Sequence, residues 1–256
     1  MNKYFGFAAR AVPYLIVKYP QIFKNAVFRN RMSLTLRYNQ ARSLLTGLNR
    51  RLHVEIIPTG LKRLPADLSF VMTPNHQSFM DSLCLIQLME QQAAFVAKKE
   101  TKNFILVGKV LTSIDGVYLD RDNLRQEIKL MQEIRTSLKT ENKKWVIFPE
   151  GTRSKDADRR VGEFKPGSLK MAMSAGVDIY PVAMWGSFRI LDFKENSLKK
   201  FPVFIHIFDP ITPKMYEGMT TSELAPMIRK MIQEKLEDLK VLDARYCEEH
   251  RKKRAR

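Results

Sequence analysis

From residue 52 onward, short runs of β-branched and aromatic residues alternate with stretches of helical periodicity. That alternation limits the chain more than any other feature of its sequence. Strands are expected at 52–57, 69–73, 94–97, 117–119, 145–148, 179–184 and 203–208, and helices over 79–92, 123–138, 168–175 and 222–242. Strands separated by helices pair most readily in parallel, so the expectation is an α/β domain: a mixed, largely parallel sheet flanked by helices. A chain of 256 residues, 45% of them hydrophobic, can bury one substantial core. Two cysteines, Cys84 and Cys247, cannot form a disulfide framework, which fits a reducing compartment.

The charge is uneven. Lys and Arg number 44 against 27 Asp and Glu, a net of +17. Residues 1–51 hold ten basic residues and no acidic one, and residues 251–256 hold five more basic ones. Between 52 and 250 the count is 29 basic to 27 acidic, so the body is almost neutral. Basic ends on a neutral body suit a polyanionic surface, either nucleic acid or anionic membrane. No nucleic-acid-binding motif accompanies the charge, so no nucleic-acid partner is expected.

Residues 1–50 mix Tyr4, Phe5, Phe7, Tyr14, Tyr19, Phe23 and Phe28 with Lys and Arg, punctuated by Pro13 and Pro20. The pattern reads as two or three basic amphipathic helices able to lie in a membrane interface, or to pack on the body with their charges solvated. The longest stretch free of charged residues, 68–80, has 13 residues and is too short to span a bilayer, which takes about 20. Lys18 and Lys24 interrupt the apolar run a secretory signal would need. The expected organisation is 1–50 basic amphipathic helices, 51–245 α/β domain and 246–256 basic tail.

Two segments carry chemistry. In Thr73-Pro74-Asn75-His76-Gln77-Ser78-Phe79-Met80-Asp81 an apolar strand ends in a turn that enters a helix. His76 therefore sits at a strand end, a frequent ligand position in α/β proteins. From the turn its imidazole can fold back onto the Asp81 carboxylate. Such a pair, without a serine, would take a proton from a hydroxyl supplied by the substrate. The same spacing also suits a structural histidine beside a helix-start aspartate. The second segment is Phe148-Pro149-Glu150-Gly151-Thr152-Arg153-Ser154, again a strand running into a polar turn. Gly151 permits a tight turn or a close backbone approach. Arg153 offers a planar fork for phosphate, or is simply solvated. His53, His206 and His250 have no partner at zinc-like spacing, and no metal site is expected. No phosphate loop or dinucleotide fingerprint is present.

Taken together, Asn-His-x4-Asp followed about 70 residues later by Phe-Pro-Glu-Gly-Thr-Arg-Ser resembles the glycerolipid acyltransferase family, and within it the 1-acylglycerol-3-phosphate (lysophosphatidic acid) acyltransferases. Ala97-Lys98-Lys99-Glu100, Tyr118-Leu119-Asp120-Arg121, Phe164-Lys165-Pro166-Gly167 and Ile179-Tyr180-Pro181-Val182 resemble further blocks of that family in the family's order. The resemblance covers roughly residues 52–210.

The resemblance implies a general base at His76, oriented by Asp81, and an acceptor phosphate held by Arg121 and Arg153. It places Glu150, Gly151 and Thr152 in the acceptor-binding block, with Glu150 either bonding a glycerol hydroxyl or holding an arginine. Lys165 would be a weaker anion contact. The reaction implied moves an acyl group from acyl-CoA or acyl carrier protein to the sn-2 hydroxyl of lysophosphatidic acid, giving phosphatidic acid. Another lysophospholipid or glycerol 3-phosphate is the alternative acceptor. No cofactor is implied. Neither cysteine stands where a nucleophile would, so transfer is expected to be direct. An anionic lipid substrate and a water-soluble donor imply a peripheral or monotopic enzyme at the cytoplasmic side of a membrane, without a transmembrane helix.

Overall fold

The computed structural model describes residues 3–120, 122–154, 156–191 and 200–250, with side chains from residue 9 onward. Arg121 and the basic tail 251–256 lie outside the described residues.

The chain begins with two helices, α1 (Lys3–Val27) and α2 (Leu34–Arg51). Neither Pro13 nor Pro20 ends α1. Ser33 caps α2 by accepting the Leu36 N–H at 3.3 Å, meeting one of the orphan donors of its first turn. There follow β1 (Val54–Thr59), β2 (Phe70–Pro74), α3 (Met80–Leu88), β3 (Ala93–Lys98), α4 (Ile105–Ser113), β4 (Val117–Leu119), α5 (Leu124–Thr140), β5 (Lys144–Ile147), α6 (Lys170–Ala175), β6 (Asp178–Trp185), β7 (Phe201–Ile207) and α7 (Thr221–Glu249). Every expected strand has its counterpart. Helix α4 was not expected. Its nine residues include Gly108 and the β-branched Val107, Val110 and Thr112, which weaken helix propensity. Tertiary packing overrides them: Val110 and Leu111 are buried, and Gly108 comes so close to the preceding turn that a Cβ there would lie 2.4 Å from the Lys102 carbonyl oxygen.

The strands form one sheet in the order β1-β7-β6-β2-β5-β3-β4, parallel at every pairing except β6 with β7. Helices α1 to α4 cover one face, where Tyr38, Leu45, Phe70, Leu83, Ile86, Phe95 and Leu111 pack together. Helices α5, α6 and α7 cover the other, where Ile228, Ile232 and Leu236 of α7 pack with Val71, Trp145 and Ile179 of the sheet. Each aliphatic or phenylalanine side chain among these contributes about 1.5–3 kcal/mol on full burial.

The N-terminal helices share this core. Ala11, Ile22, Tyr38, Ala41, Leu44, Leu45 and Leu48 are buried in it, and Arg37 reaches Asp115 (2.9 and 3.1 Å) and the Ser113 carbonyl (2.5 Å). Residues 1–50 are thus not a unit apart from the α/β body. The boundary expected at 245 also falls inside an element, since α7 continues to Glu249.

Candidate active site

The site lies where β2, β3 and β5 finish. Asn75 ends β2 by acting as a surrogate strand residue. Its Nδ2 donates to the Met184 carbonyl (3.1 Å), its Oδ1 accepts the Met184 N–H (2.7 Å), and its own N–H donates to Val182 (3.3 Å). This double clasp to β6 stops the chain at a defined point, so that the next residue, His76, projects over the sheet end.

The His76 Nδ1–H then donates to Asp81 Oδ2 at 2.7 Å. Asp81, in the first turn of α3, is fully buried and also receives the N–H groups of Gln77 (2.7 Å) and Ser78 (2.8 Å) on Oδ2 and the hydroxyl of Ser187 on Oδ1. A buried carboxylate with this many donors is held in one position. With Nδ1 engaged, Nε2 is the nitrogen left for a substrate proton. The ring lies 4.2 Å from that of Phe148, tilted by 31°, which confines it on a further side.

Glu150 comes from the turn after β5. One oxygen accepts the His76 backbone N–H at 2.7 Å and the other the Gly162 N–H at 2.8 Å. Its carboxyl is held above the usual carboxylate range by burial, an effect only partly offset by these two N–H groups. Of the roles implied for it by resemblance, bonding a glycerol hydroxyl or holding an arginine, neither is what these bonds do: they clamp the turn after β5 to the histidine loop. The Ser154 N–H donates to the His76 carbonyl (2.8 Å) and closes the same clamp from the other side.

A cavity of about 610 Å³ opens beside His76. Phe95, Leu111, Leu130, Ile134, Ile147 and Met171 line its apolar part, and Thr152, Arg153, Lys98 and Lys165 its rim. Gly151 lines it too, with a φ of 66° that favours glycine. Arg153 is stacked over Phe79 with its guanidinium carbon 3.9 Å from the ring centre, and Phe79 packs edge-on against Phe104. The stacking places the guanidinium, and among the described residues no carboxylate pairs with it. Of the residues named from the sequence, His76, Gly151, Thr152, Arg153 and Lys165 line this cavity, while Asp81 and Glu150 support it from behind. Arg121 lies outside the described residues; its neighbours Asp120 and Asp122 both bond the Lys99 ammonium, at 2.7 and 3.0 Å.

Sequence reasoning missed Asn75, Phe79, Gly162 and Ser187. The first two stand inside the motif already singled out. Gly162 and Ser187 are 12 and 106 residues from the side chains they touch, and nothing near them in the chain announces the contact. Among the described residues no three His, Cys, Asp or Glu side chains come close enough to hold a metal ion.

A histidine paired with a buried carboxylate beside an apolar cavity, with cations at its mouth, suits acyl transfer onto an anionic acceptor. The family model described as Acyltransferase matches residues 55–185, so the chain belongs to the acyltransferase family. The 1-acyl-sn-glycerol-3-phosphate acyltransferase of Borreliella burgdorferi is 30% identical over 194 residues, which are 73% of this chain and 74% of that one. The probable 1-acyl-sn-glycerol-3-phosphate acyltransferase of Mycoplasma genitalium is 32% identical over 191 residues, 70% and 69% of the two chains. In structure, the chain is similar to the 1-acyl-sn-glycerophosphate (LPA) acyltransferase PlsC of Thermotoga maritima. The TM-score is 0.70 at 25% identity, over 92% of this chain and 93% of that one.

Proposed function

We propose that this acyltransferase moves a fatty acyl group from acyl-CoA or acyl carrier protein to the sn-2 hydroxyl of 1-acylglycerol 3-phosphate, giving phosphatidic acid. The observation that carries this reading is the His76–Asp81 pair, 2.7 Å apart, at the edge of an apolar cavity whose rim holds Arg153. The relatives named for this reaction support the choice of acceptor.

His76 Nε2 takes the sn-2 hydroxyl proton as the oxygen attacks the thioester carbonyl. The tetrahedral intermediate collapses and expels the thiolate, which takes the proton back from the imidazolium. Asp81 keeps Nε2 aimed and stabilises the transient positive ring. Arg153 bonds the acceptor phosphate, with Arg121 as its proposed partner, while Thr152 and Lys165 add contacts at the rim. The apolar part of the cavity takes an acyl chain.

The enzyme works on the cytoplasmic face of a membrane, where a soluble donor meets a lipid acceptor. The end of the sheet that carries His76 also carries exposed apolar side chains. Ile16 (69% exposed) and Val17 (72%) lie on α1, Phe104 lines the cavity with Ile105 (76%) next to it at the start of α4, and Leu124 and Ile128 lie on α5. Tyr19 joins α1 to α4 by donating to the Ile105 carbonyl at 2.7 Å. Arg10, Lys18 and Arg51 flank the same end. Apolar groups ringed by cations suit insertion into an anionic interface. No described helix is long and apolar enough to cross a membrane.

The test is thiol release from acyl-CoA, and from acyl carrier protein, on adding lysophosphatidic acid, with wild type and His76→Ala in parallel and products identified by mass. Phosphatidic acid from wild type and almost none from folded His76→Ala is the expected result. Faster turnover of glycerol 3-phosphate or another lysophospholipid would replace the acceptor. Equal activity in the two proteins would remove His76 as the base.

A further inference from the structure

The turn after β6 has no part in the reading above, yet it touches the dyad. Gly186 adopts a φ of 100°, and a Cβ there would lie 2.3 Å from the Pro202 carbonyl oxygen, so the turn is wedged against β7. The next residue, Ser187, is fully buried and donates its hydroxyl to Asp81 Oδ1. Two residues on, Arg189 makes a two-pronged ion pair with Asp243 of α7, its Nη1 2.8 Å from Asp243 Oδ1, and both side chains are buried. The Trp185 indole N–H donates to the same aspartate at 3.0 Å. Residues on both sides of Ser187 are therefore tied to the C-terminal helix.

We propose that Ser187 is a positioning residue for the His76–Asp81 pair, and that the Arg189–Asp243 ion pair holds the turn that presents it. The catalytic part of this proposal rests on His76 acting as the base. Three donors crowd Oδ2, and without the Ser187 hydroxyl the carboxylate would be held on one oxygen only, free to pivot about it. A carboxylate that pivots no longer fixes the plane of the imidazole, and Nε2 loses its aim. It also keeps more of its negative charge for the ring, which favours imidazolium. Among the described residues, the other charged and titratable groups facing the pair are Glu150 from the turn after β5 and Cys84 one turn along α3, with Arg153 sharing the cavity that His76 lines. Substituting Ser187 removes none of them.

The experiment compares full-length wild type, Ser187→Ala and Asp243→Asn by NMR titration of the His76 imidazole, assigned with His76→Ala, and by pH-dependent turnover. In Ser187→Ala the His76 signal should move to higher pH than in wild type. The acid limb of the pH–rate profile should move with it, and kcat should fall about tenfold or more while KM stays within about twofold. Asp243→Asn, which leaves Ser187 in place, should show the same signs at smaller size, and it carries the test if Ser187→Ala does not fold. A folded Ser187→Ala protein whose His76 titrates as in wild type overturns the proposal. An unchanged Asp243→Asn beside a shifted Ser187→Ala overturns the part assigned to the ion pair. Absence of turnover in wild type would count against the proposed reaction, and the titration would still decide the role of Ser187.

Discussion

Glu150 accepts the backbone N–H of His76 at 2.7 Å, so the acidic residue of one motif fixes the main chain of the other. The two stretches lie 74 residues apart in sequence and meet because β2 and β5 are adjacent parallel strands that end at the same level. Glutamine at 150 would set an amide N–H₂ against one of the two N–H donors, a loss of roughly 1–3 kcal/mol. Burial also raises the Glu150 carboxyl above its ordinary value of 4.5. Between that value and the raised one, the folded chain holds a proton that the unfolded chain has released. The Glu150 contribution to stability therefore falls as pH rises through this window. Urea unfolding from pH 4 to 7 should show the wild-type advantage over Glu150→Gln shrinking with rising pH; parallel curves would contradict this.

Gly162 meets the other oxygen of the same carboxylate. A Cβ there would sit 2.7 Å from Glu150 Oε2, forcing the carboxylate toward the His76 loop. Gly162→Ala should cost about 1–3 kcal/mol in stability and, by displacing His76, roughly a hundredfold in kcat. Thermal unfolding and single-turnover rates check the two halves separately; a variant with normal turnover would show that the clamp does not set the histidine.

Asp81→Asn changes one atom of the dyad and keeps its shape. The amide oxygen cannot take the bonds from His76, Gln77 and Ser78 together with the hydroxyl of Ser187, and the tautomer of His76 is no longer imposed. Turnover should fall by about 10³-fold or more, with KM for the acceptor little altered. A loss in KM alone would place Asp81 in substrate binding instead.

The apolar rim predicts the membrane-facing side. Ile16→Glu combined with Ile105→Glu should lower partitioning onto phosphatidylglycerol vesicles by roughly ten- to a hundredfold, measured by sedimentation. Leu68→Glu, at a residue 59% exposed just before the start of β2, at the opposite end of the sheet, should leave partitioning unchanged. Equal binding by both variants would rule out this face.

The alternation of strand and helix patterns determined the α/β class and all seven strands, because buried parallel strands need continuous β-branched and aromatic runs that composition displays directly. The spacing of His76 and Asp81 suited a dyad or a structural pair alike, and the family resemblance selected the dyad; their contact is local and spans a single turn. The sequence pattern did not reveal α4, whose weak propensity is overridden by burial. It set residues 1–50 apart from the body, since an amphipathic basic helix looks the same whether its apolar face meets lipid or a core. Tertiary structure decided that they share the core, that Glu150 serves the backbone of His76, and that Ser187, 106 residues from Asp81, completes the carboxylate's bonds. The physical reason is common to all three. Residue type and periodicity set what each segment can bury, while the order of strands across the sheet sets which loops meet at its end. That order is a property of the assembled chain.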